Sequence, residues 1–258
     1  MTTFAVITPT IGTPELAKCI MSLRGQDCTH YIVVDGREHN SKVNKILVNE
    51  TGISHKERMI WLDENVGKGW YGHRVYAAAS FLVNEDVLCY LDEDNWVEPD
   101  YIDAFKNILN TNQWAFTLRN IVDVDGSFVC QDNCENLGLW PVLGDKQGRS
   151  HVDTGCFAVP RELALKVGHH WYGQWGADRQ FFAALKQVAP TFGCTGKYTL
   201  NYRLGSSTNL ATKEMFLQGN TFANQLYQGV YPWVTNKKTP QNNQKSILRF
   251  NTETNQFS

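Results

Sequence analysis

Short apolar runs alternate with segments whose apolar residues recur at helical spacing through the first hundred positions. Residues 4–8 form a strand-type run that ends in Pro-Thr-Ile-Gly-Thr-Pro. Pro14 then opens a segment in which Leu16, Cys19, Ile20 and Leu23 share one helix face, closed by Gly25. The β-branched run 30–34 predicts a second strand, stopped by Asp35-Gly36, followed by a helix over 42–49 and a third strand over 59–62. After the glycine-rich stretch 65–72, Val75, Ala78, Ala79 and Leu82 give another helix face, and 87–91 is a fourth strand that runs into Asp92-Glu93-Asp94. Strands alternating with helices imply an α/β fold with a parallel, helix-covered sheet, whose binding loops gather at the carboxyl ends of its strands.

The second half has a different texture. Runs 114–122 and 127–130 flank Asp125-Gly126, a hairpin signal. A strand over 151–159, a short helix over 161–167 behind Pro160, and a longer helix over 177–188 follow. That longer helix should bury Phe181, Phe182, Leu185 and Val188. A strand near 197–203 and a helix over 213–227 complete the pattern. Beyond Pro232 the chain is rich in Asn, Gln, Thr and Lys, which predicts a polar arm or surface wrap. No internal repeat and no long linker is present, so 1–231 is expected to be one domain and 232–258 its C-terminal arm.

Composition narrows the function classes. The 258 residues carry 24 basic and 26 acidic side chains, a formal charge of -2, which removes the general electrostatic case for nucleic acid or an anionic membrane. No apolar stretch reaches the length of a membrane span, and the start lacks the pattern of a signal peptide, so a cytoplasmic protein with no transmembrane segment is expected. Seven cysteines without framework spacing read as reduced, mostly buried thiols. Cys130 and Cys134 lack the companions of a zinc site. The one skew is aromatic, with 8 Trp, 10 Tyr and 13 Phe, which serves a core and also suits a cleft that stacks on sugar rings.

The strongest chemical signal is Asp92-Glu93-Asp94 at the end of a buried strand. Three consecutive carboxylates repel one another, and a hard divalent cation sharing phosphate oxygens compensates them; an acidic loop capping the helix after Pro99 is the simpler alternative. With Thr8-Pro9-Thr10 and Asp35 at two other strand ends and Glu64-Asn65-Val66-Gly67 before the third helix, the set resembles the GT-A nucleotide-sugar glycosyltransferases of the family 2 type. The likeness covers about the first 110 residues. It implies a Rossmann-like three-layer sandwich around a mostly parallel sheet, with 1–110 as the nucleotide-binding half and 111–231 as the acceptor half.

The resemblance assigns roles. Thr8, Pro9, Thr10 and Gly12 would approach the base and ribose, and Asp35 would accept the ring N–H of uracil, a turn residue being its plainer reading. Asn65 and Gly67 would border the donor, with Lys68 or Arg74 over the base or phosphates; either cation could equally be a solvated helix residue. Asp92 would reach ribose or metal, Asp94 would bind Mn²⁺ or Mg²⁺ most directly, and Glu93 belongs to the same loop. The donor would be a UDP-sugar, a UDP-hexose, and the acceptor a carbohydrate or other hydroxyl compound.

The preferred reading is an inverting transferase, which needs a general base opposite the diphosphate, and Asp178 in Trp175-Gly176-Ala177-Asp178 is the candidate; a retaining transferase on the same fold and a non-catalytic nucleotide-sugar-binding module are the alternatives. The family's Glu-Asp pair is here Ala177-Asp178, and an ordinary acid at a helix N-terminus is the other explanation. Gly155 would leave room for the donor sugar, or else serve as a packing glycine. Trp175 is expected to be the sugar platform, with core or lid positions for Trp171 and Tyr172 and with Trp140 counted on the acceptor side. The histidine that many such enzymes add to the metal shell has only His169 or His170 as candidates, Asn, Ser or water being the alternatives. Trp70-Tyr71-Gly72-His73-Arg74 departs from the family's Ala-Arg-Asn.

Overall fold

The computed structural model describes residues 2–67, 69–205, 211–235, 250–251 and 256–257. Strands β1 (Phe4–Thr10), β2 (Thr29–Asp35), β3 (Glu57–Leu62) and β4 (Val87–Tyr90) pair in parallel, in the order β3-β2-β1-β4. β1 and β4 are the most apolar runs because helices cover both faces of the sheet. On one side lie helix α1 (Leu16–Leu23), which buries the expected Leu16, Cys19, Ile20 and Leu23, and α2 (Asn40–Ile46), which continues into a π-helical turn over Leu47–Thr51. Helix α3 (His73–Leu82) packs Val75, Tyr76 and Ala79 inward.

At β4 the direction changes. β8 (Phe157–Pro160) pairs antiparallel with β4 and with β6 (Trp114–Val122), and the long β9 (Phe192–Arg203) lies parallel to β6. The two-residue β5 (Trp96–Val97) closes the far edge against β9, and β7 (Phe128–Gln131) forms the expected hairpin with β6. Six of these nine strands, β1 to β4, β6 and β9, point the same way, so the fold is a mostly parallel α/β sheet flanked by helices. Helices α4 (Tyr101–Leu109), α5 (Arg161–Val167), α6 (Ala177–Val188) and α7 (Lys213–Tyr227) complete the layers. One apolar cluster runs from Phe4 through Trp114 and Phe157 to Trp233, without a break between the halves.

Several local expectations change. On α3, Val75 and Ala79 of the expected face are buried, whereas Ala78 and Leu82 are exposed. The strand expected over 151–159 is confined to Phe157–Pro160, because Asn136 Oδ1 takes the N–H of Asp153 (2.8 Å) and the Asp153 side chain caps the turn Thr154–Cys156. On α6, Phe181, Phe182 and Leu185 are buried, whereas Val188, in the last turn, is 46% exposed. Past Pro232 the chain forms α8 (Pro232–Thr235), whose Trp233 is buried and donates its indole N–H to Asn133 Oδ1 (2.9 Å). The rest of the expected arm lies mostly outside the described residues, with β10 (Phe250–Asn251) and β11 (Gln256–Phe257) paired antiparallel. No helix among the described residues is long and apolar enough to cross a membrane.

Buried His30 on β2 shares a hydrogen bond with Thr8 Oγ1 on β1 (2.9 Å), and burial lowers its imidazole to about 3. The folded state therefore resists a proton that the unfolded chain takes up near pH 6.5, so this contribution to stability is present above pH 6.5 and is lost as pH falls toward 3. His30→Gln is expected to flatten the acid limb of the thermal melting temperature between about pH 6.5 and 4 relative to the wild-type chain. Parallel acid limbs in the two proteins would contradict this.

Candidate active site

The carboxyl ends of β1, β2 and β4 open into one cleft of about 670 Å³, closed on the far side by the start of α6 and the end of β9. Its walls include Pro9, Thr10, Asp35, Asn65, Gly67, Asp92, Glu93, Asp94, Trp175 and Asp178, so most of the residues singled out in the sequence meet in one place. Among the described residues that line it there are seven carboxylates, Glu15 and Asp153 completing the set, against a single arginine, Arg203. Arg203 is itself matched by Glu15 at 3.0 Å.

The acidic turn after β4 is fixed at three points. Tyr76 donates its hydroxyl to Asp92 Oδ1 (2.7 Å). Glu93 accepts from the Thr10 hydroxyl (2.5 Å) and from the backbone N–H groups of Ile11 (3.0 Å) and Thr13 (2.9 Å), so it staples the loop between β1 and α1 to the turn. Asn95 Oδ1 accepts the N–H of Arg203 (2.9 Å), which ties the turn to β9. Burial pushes the Asp92 carboxyl well above its usual range, and the charge of Asp94 pushes the same way, while the tyrosine hydroxyl opposes both. Two neighbouring carboxylates whose joint ionisation is this costly have the oxygen-donor chemistry of a divalent-cation site.

Asp35 is buried at the end of β2, and its two oxygens accept the N–H groups of Val66 and Gly67, each at 2.8 Å. Position 67 must be glycine, since a Cβ there would stand 2.3 Å from Asp35 Oδ2. Asn65 in the same loop is hydrogen-bonded through Nδ2 to His39 Nε2 (3.2 Å). Lys68 lies outside the described residues.

On the opposite wall, Asp178 starts α6. Its Oδ1 accepts the N–H of Arg179 (2.8 Å), and its Oδ2 lies 3.4 Å from Nε2 of buried His151. Asp153 accepts from Arg119 Nη1 (2.6 Å), and Arg119, fully buried, also bonds Asp132 (2.8 Å) and Glu135. His151, Asp153 and Asp178 bring potential ligand atoms within 4.8 Å of one another. The donor set does not suit a cation, because the Arg119 guanidinium already holds Asp153.

Several expected residues stand elsewhere. Thr8 is wholly buried beneath the cleft, bonded to His30, and Gly12 turns against Lys42 and Val43 of α2. Arg74 lays its guanidinium on the rings of Trp70 (3.8 Å) and Tyr172 (5.1 Å), away from the cleft lining. Gly155 packs against Leu200, 2.8 Å from where a Cβ would stand, and is not among the residues lining the cleft. Trp140 is 5% exposed and meets Trp233 edge-on, which makes it a core residue, whereas Trp175 is 56% exposed at the cleft rim. The rings of His169 and His170 meet at a tilt of 37° in the Gly168–Trp171 turn, and neither lines the cleft. The sequence reading missed Tyr76, Arg119, His151 and Arg203. Tyr76 and Arg119 sit inside runs that look like core, and no local motif marks any of the four.

A sheet of this order with an acidic turn closing its fourth strand is the GT-A fold of nucleotide-sugar glycosyltransferases. Crystal structures of Staphylococcus aureus TarS share it. TarS 1–349 aligns at a TM-score of 0.56 and 14% identity over 88% of this chain and 72% of that one. The same segment in complex with UDP-GlcNAc gives 0.57 and 12% over 92% and 69%, and in complex with UDP 0.57 and 13% over 94% and 77%. At these identities the likeness establishes the fold. An uncharacterized protein of Haemophilus influenzae is 40% identical over 68 residues, 26% of this chain and 46% of that protein, so the match spans less than half of that relative. No protein-family model matches the chain.

Because Glu93 accepts three hydrogen bonds, Glu93→Ala is expected to lower unfolding free energy by about 2–4 kcal/mol in urea denaturation, with the 10–13 loop the first segment to gain hydrogen exchange. Wild-type stability and an unchanged exchange pattern would show that the staple carries no weight.

Proposed function

We propose that the chain is a divalent-cation-dependent glycosyltransferase that moves a hexose unit from a UDP-sugar to a hydroxyl acceptor with inversion. The observation that carries this reading is the charge of the cleft: among the described residues, seven carboxylates and one arginine line it at the carboxyl ends of the parallel strands. A diphosphate entering such a site is repelled unless a cation accompanies it. Asp94 and Asp92 would hold Mn²⁺ or Mg²⁺, and the cation would neutralise the leaving diphosphate. TarS structures holding UDP and UDP-GlcNAc support a uridine donor.

The chain's own groups take the remaining roles. Asp35 keeps a free lone pair on each oxygen for the uracil N–H after accepting from Val66 and Gly67. Pro9 and Thr10, where Glu93 clasps the chain, and Asn65 and Gly67, in the loop whose N–H groups Asp35 accepts, border the nucleoside. Asp178 takes the proton of the acceptor hydroxyl as it attacks the anomeric carbon, and exposed Trp175 offers its face to the acceptor sugar. All seven cysteines are free, which suits a reducing cytoplasm.

A screen of UDP-sugars with Mn²⁺ or Mg²⁺, read by NMR, tests donor, metal and anomeric outcome together. Hydrolysis or transfer with inversion is expected; retention of configuration would move Asp178 to the donor side, and no turnover of any UDP-sugar would sink the transferase reading. Asp94→Asn should abolish the chelator-sensitive part of UDP binding in calorimetry, and binding indifferent to both variant and chelator would refute the cation site. Asp178→Asn should cost about 10²–10⁴-fold in kcat while UDP affinity stays within about twofold. An unchanged rate would remove Asp178 from the chemistry.

A further inference from the structure

Asp153 and Asp178 line the same wall of the cleft, but they are anchored by different kinds of donor. Asp153 is held by a guanidinium, Arg119 Nη1 at 2.6 Å. Asp178 Oδ1 accepts the backbone N–H of Arg179, and the His151 imidazole stands beside Oδ2, with Nε2 at 3.4 Å. The Arg179 guanidinium itself turns toward Glu135 (3.6 Å) and the Trp175 ring (5.0 Å).

His151 is only 5% exposed, and its Nδ1 is buried with no hydrogen-bond partner. A neutral imidazole has one N–H and one bare nitrogen. Placing the proton on Nδ1 would strand a donor in the interior and set the Nε2 lone pair against a carboxylate. Placing it on Nε2 gives the proton an acceptor, Asp178 Oδ2 at 3.4 Å, and leaves only a bare Nδ1 unsatisfied.

We propose that His151 is a positioning residue for Asp178: its Nε2–H donates to Oδ2 and aims the carboxylate into the cleft without adding a positive charge beside it. This rests on the reading of Asp178 as the base. Asp153 is less free to take the role, because its Oδ2 accepts from Arg119 Nη1 and its Oδ1 from the N–H of Gly155.

The surroundings maintain the neutral form. Burial lowers the imidazole to about 4; Asp178 on α6 and Asp132 after β7 act to raise it, while Arg119 on β6 and Arg179 on α6 act with burial. Asp153 completes the near shell, and His73 of α3 and Asp92 face Asp178 electrostatically from the other wall.

Two measurements on the full chain test the assignment. In long-range ¹H–¹⁵N spectra of histidine-labelled protein, with the His151 signals assigned by their loss in His151→Gln, the ring should be the Nε2–H tautomer and should not titrate between about pH 5 and 8. An Nδ1–H tautomer, or protonation inside that range, overturns the proposal. UDP release from UDP-GlcNAc with Mn²⁺, water serving as acceptor, gives the second arm. His151→Phe should lower kcat by about 10–100-fold, with KM within about twofold and an altered basic limb of the pH profile, and His151→Gln, which keeps an N–H donor, should recover most of the loss. Equal losses in the two variants, or a loss confined to KM, would overturn the positioning role. If the wild-type chain releases no UDP from UDP-GlcNAc or any other UDP-sugar, it is the transferase reading that fails, and the tautomer still decides whether His151 donates to Asp178.

Discussion

One buried guanidinium sets the terms for half of the cleft. Taking an arginine out of water costs several kcal/mol unless its charge and its donors are met, and Arg119 meets both demands at once. Asp132, Glu135 and Asp153 receive its N–H groups, and its flat face lies over Tyr202 (4.5 Å) and Phe216 (5.4 Å). The partners come from the segment after β7 and from the turn before β8, so the charge draws together pieces that the sheet alone would leave as loops. Asp132 is locked further by the backbone N–H groups of Cys134, Glu135 and Asn136, which with Arg119 hold its carboxyl below the usual range against the effect of burial. The Asp178 wall of the cleft adjoins this cluster, since Asp153 lines the cleft and Arg179 lies 3.6 Å from Glu135.

Much of the architecture is legible in the chain because local and global preferences agree. Helix α7 spans 213–227 as its pattern predicts, with Thr212 capping the N–H of Met215, and the Asp125-Gly126 hairpin forms between β6 and β7. The acidic triplet and Asp35 are also where strand-end logic puts them. What stays hidden is the division of labour among residues of one type. Glu93 reads like its neighbours, yet hydroxyl and amide donors eighty positions away in sequence absorb its oxygens. Trp140 and Trp175 are equally aromatic, yet Trp140 packs in the core against Trp233 while Trp175 stays exposed at the cleft rim. Periodicity treats 151–159 as a strand because it cannot see the Asn136 side chain competing for the backbone of Asp153. Gly155 is similarly ambiguous until Leu200 is placed against it.

The seam at β4 explains why the cleft contains residues from both halves of the chain. β4 is parallel to β1 on one side and antiparallel to β8 on the other, so the strand that delivers Asp92 is also the border between two pairing patterns. The turn that follows it reaches three partners: the β1 loop through Glu93, α3 through Tyr76 and β9 through Asn95.

The Glu93 contact has a consequence for association. The loop after β1 and the turn after β4 contribute adjoining borders of the cleft, and a ligand touching both must ordinarily spend free energy to immobilise one relative to the other. Here that ordering is already complete in the folded chain, because a carboxylate clasps the loop at Thr10, Ile11 and Thr13. A ligand spanning these walls therefore meets a preorganised frame, and more of its contact energy is retained as affinity.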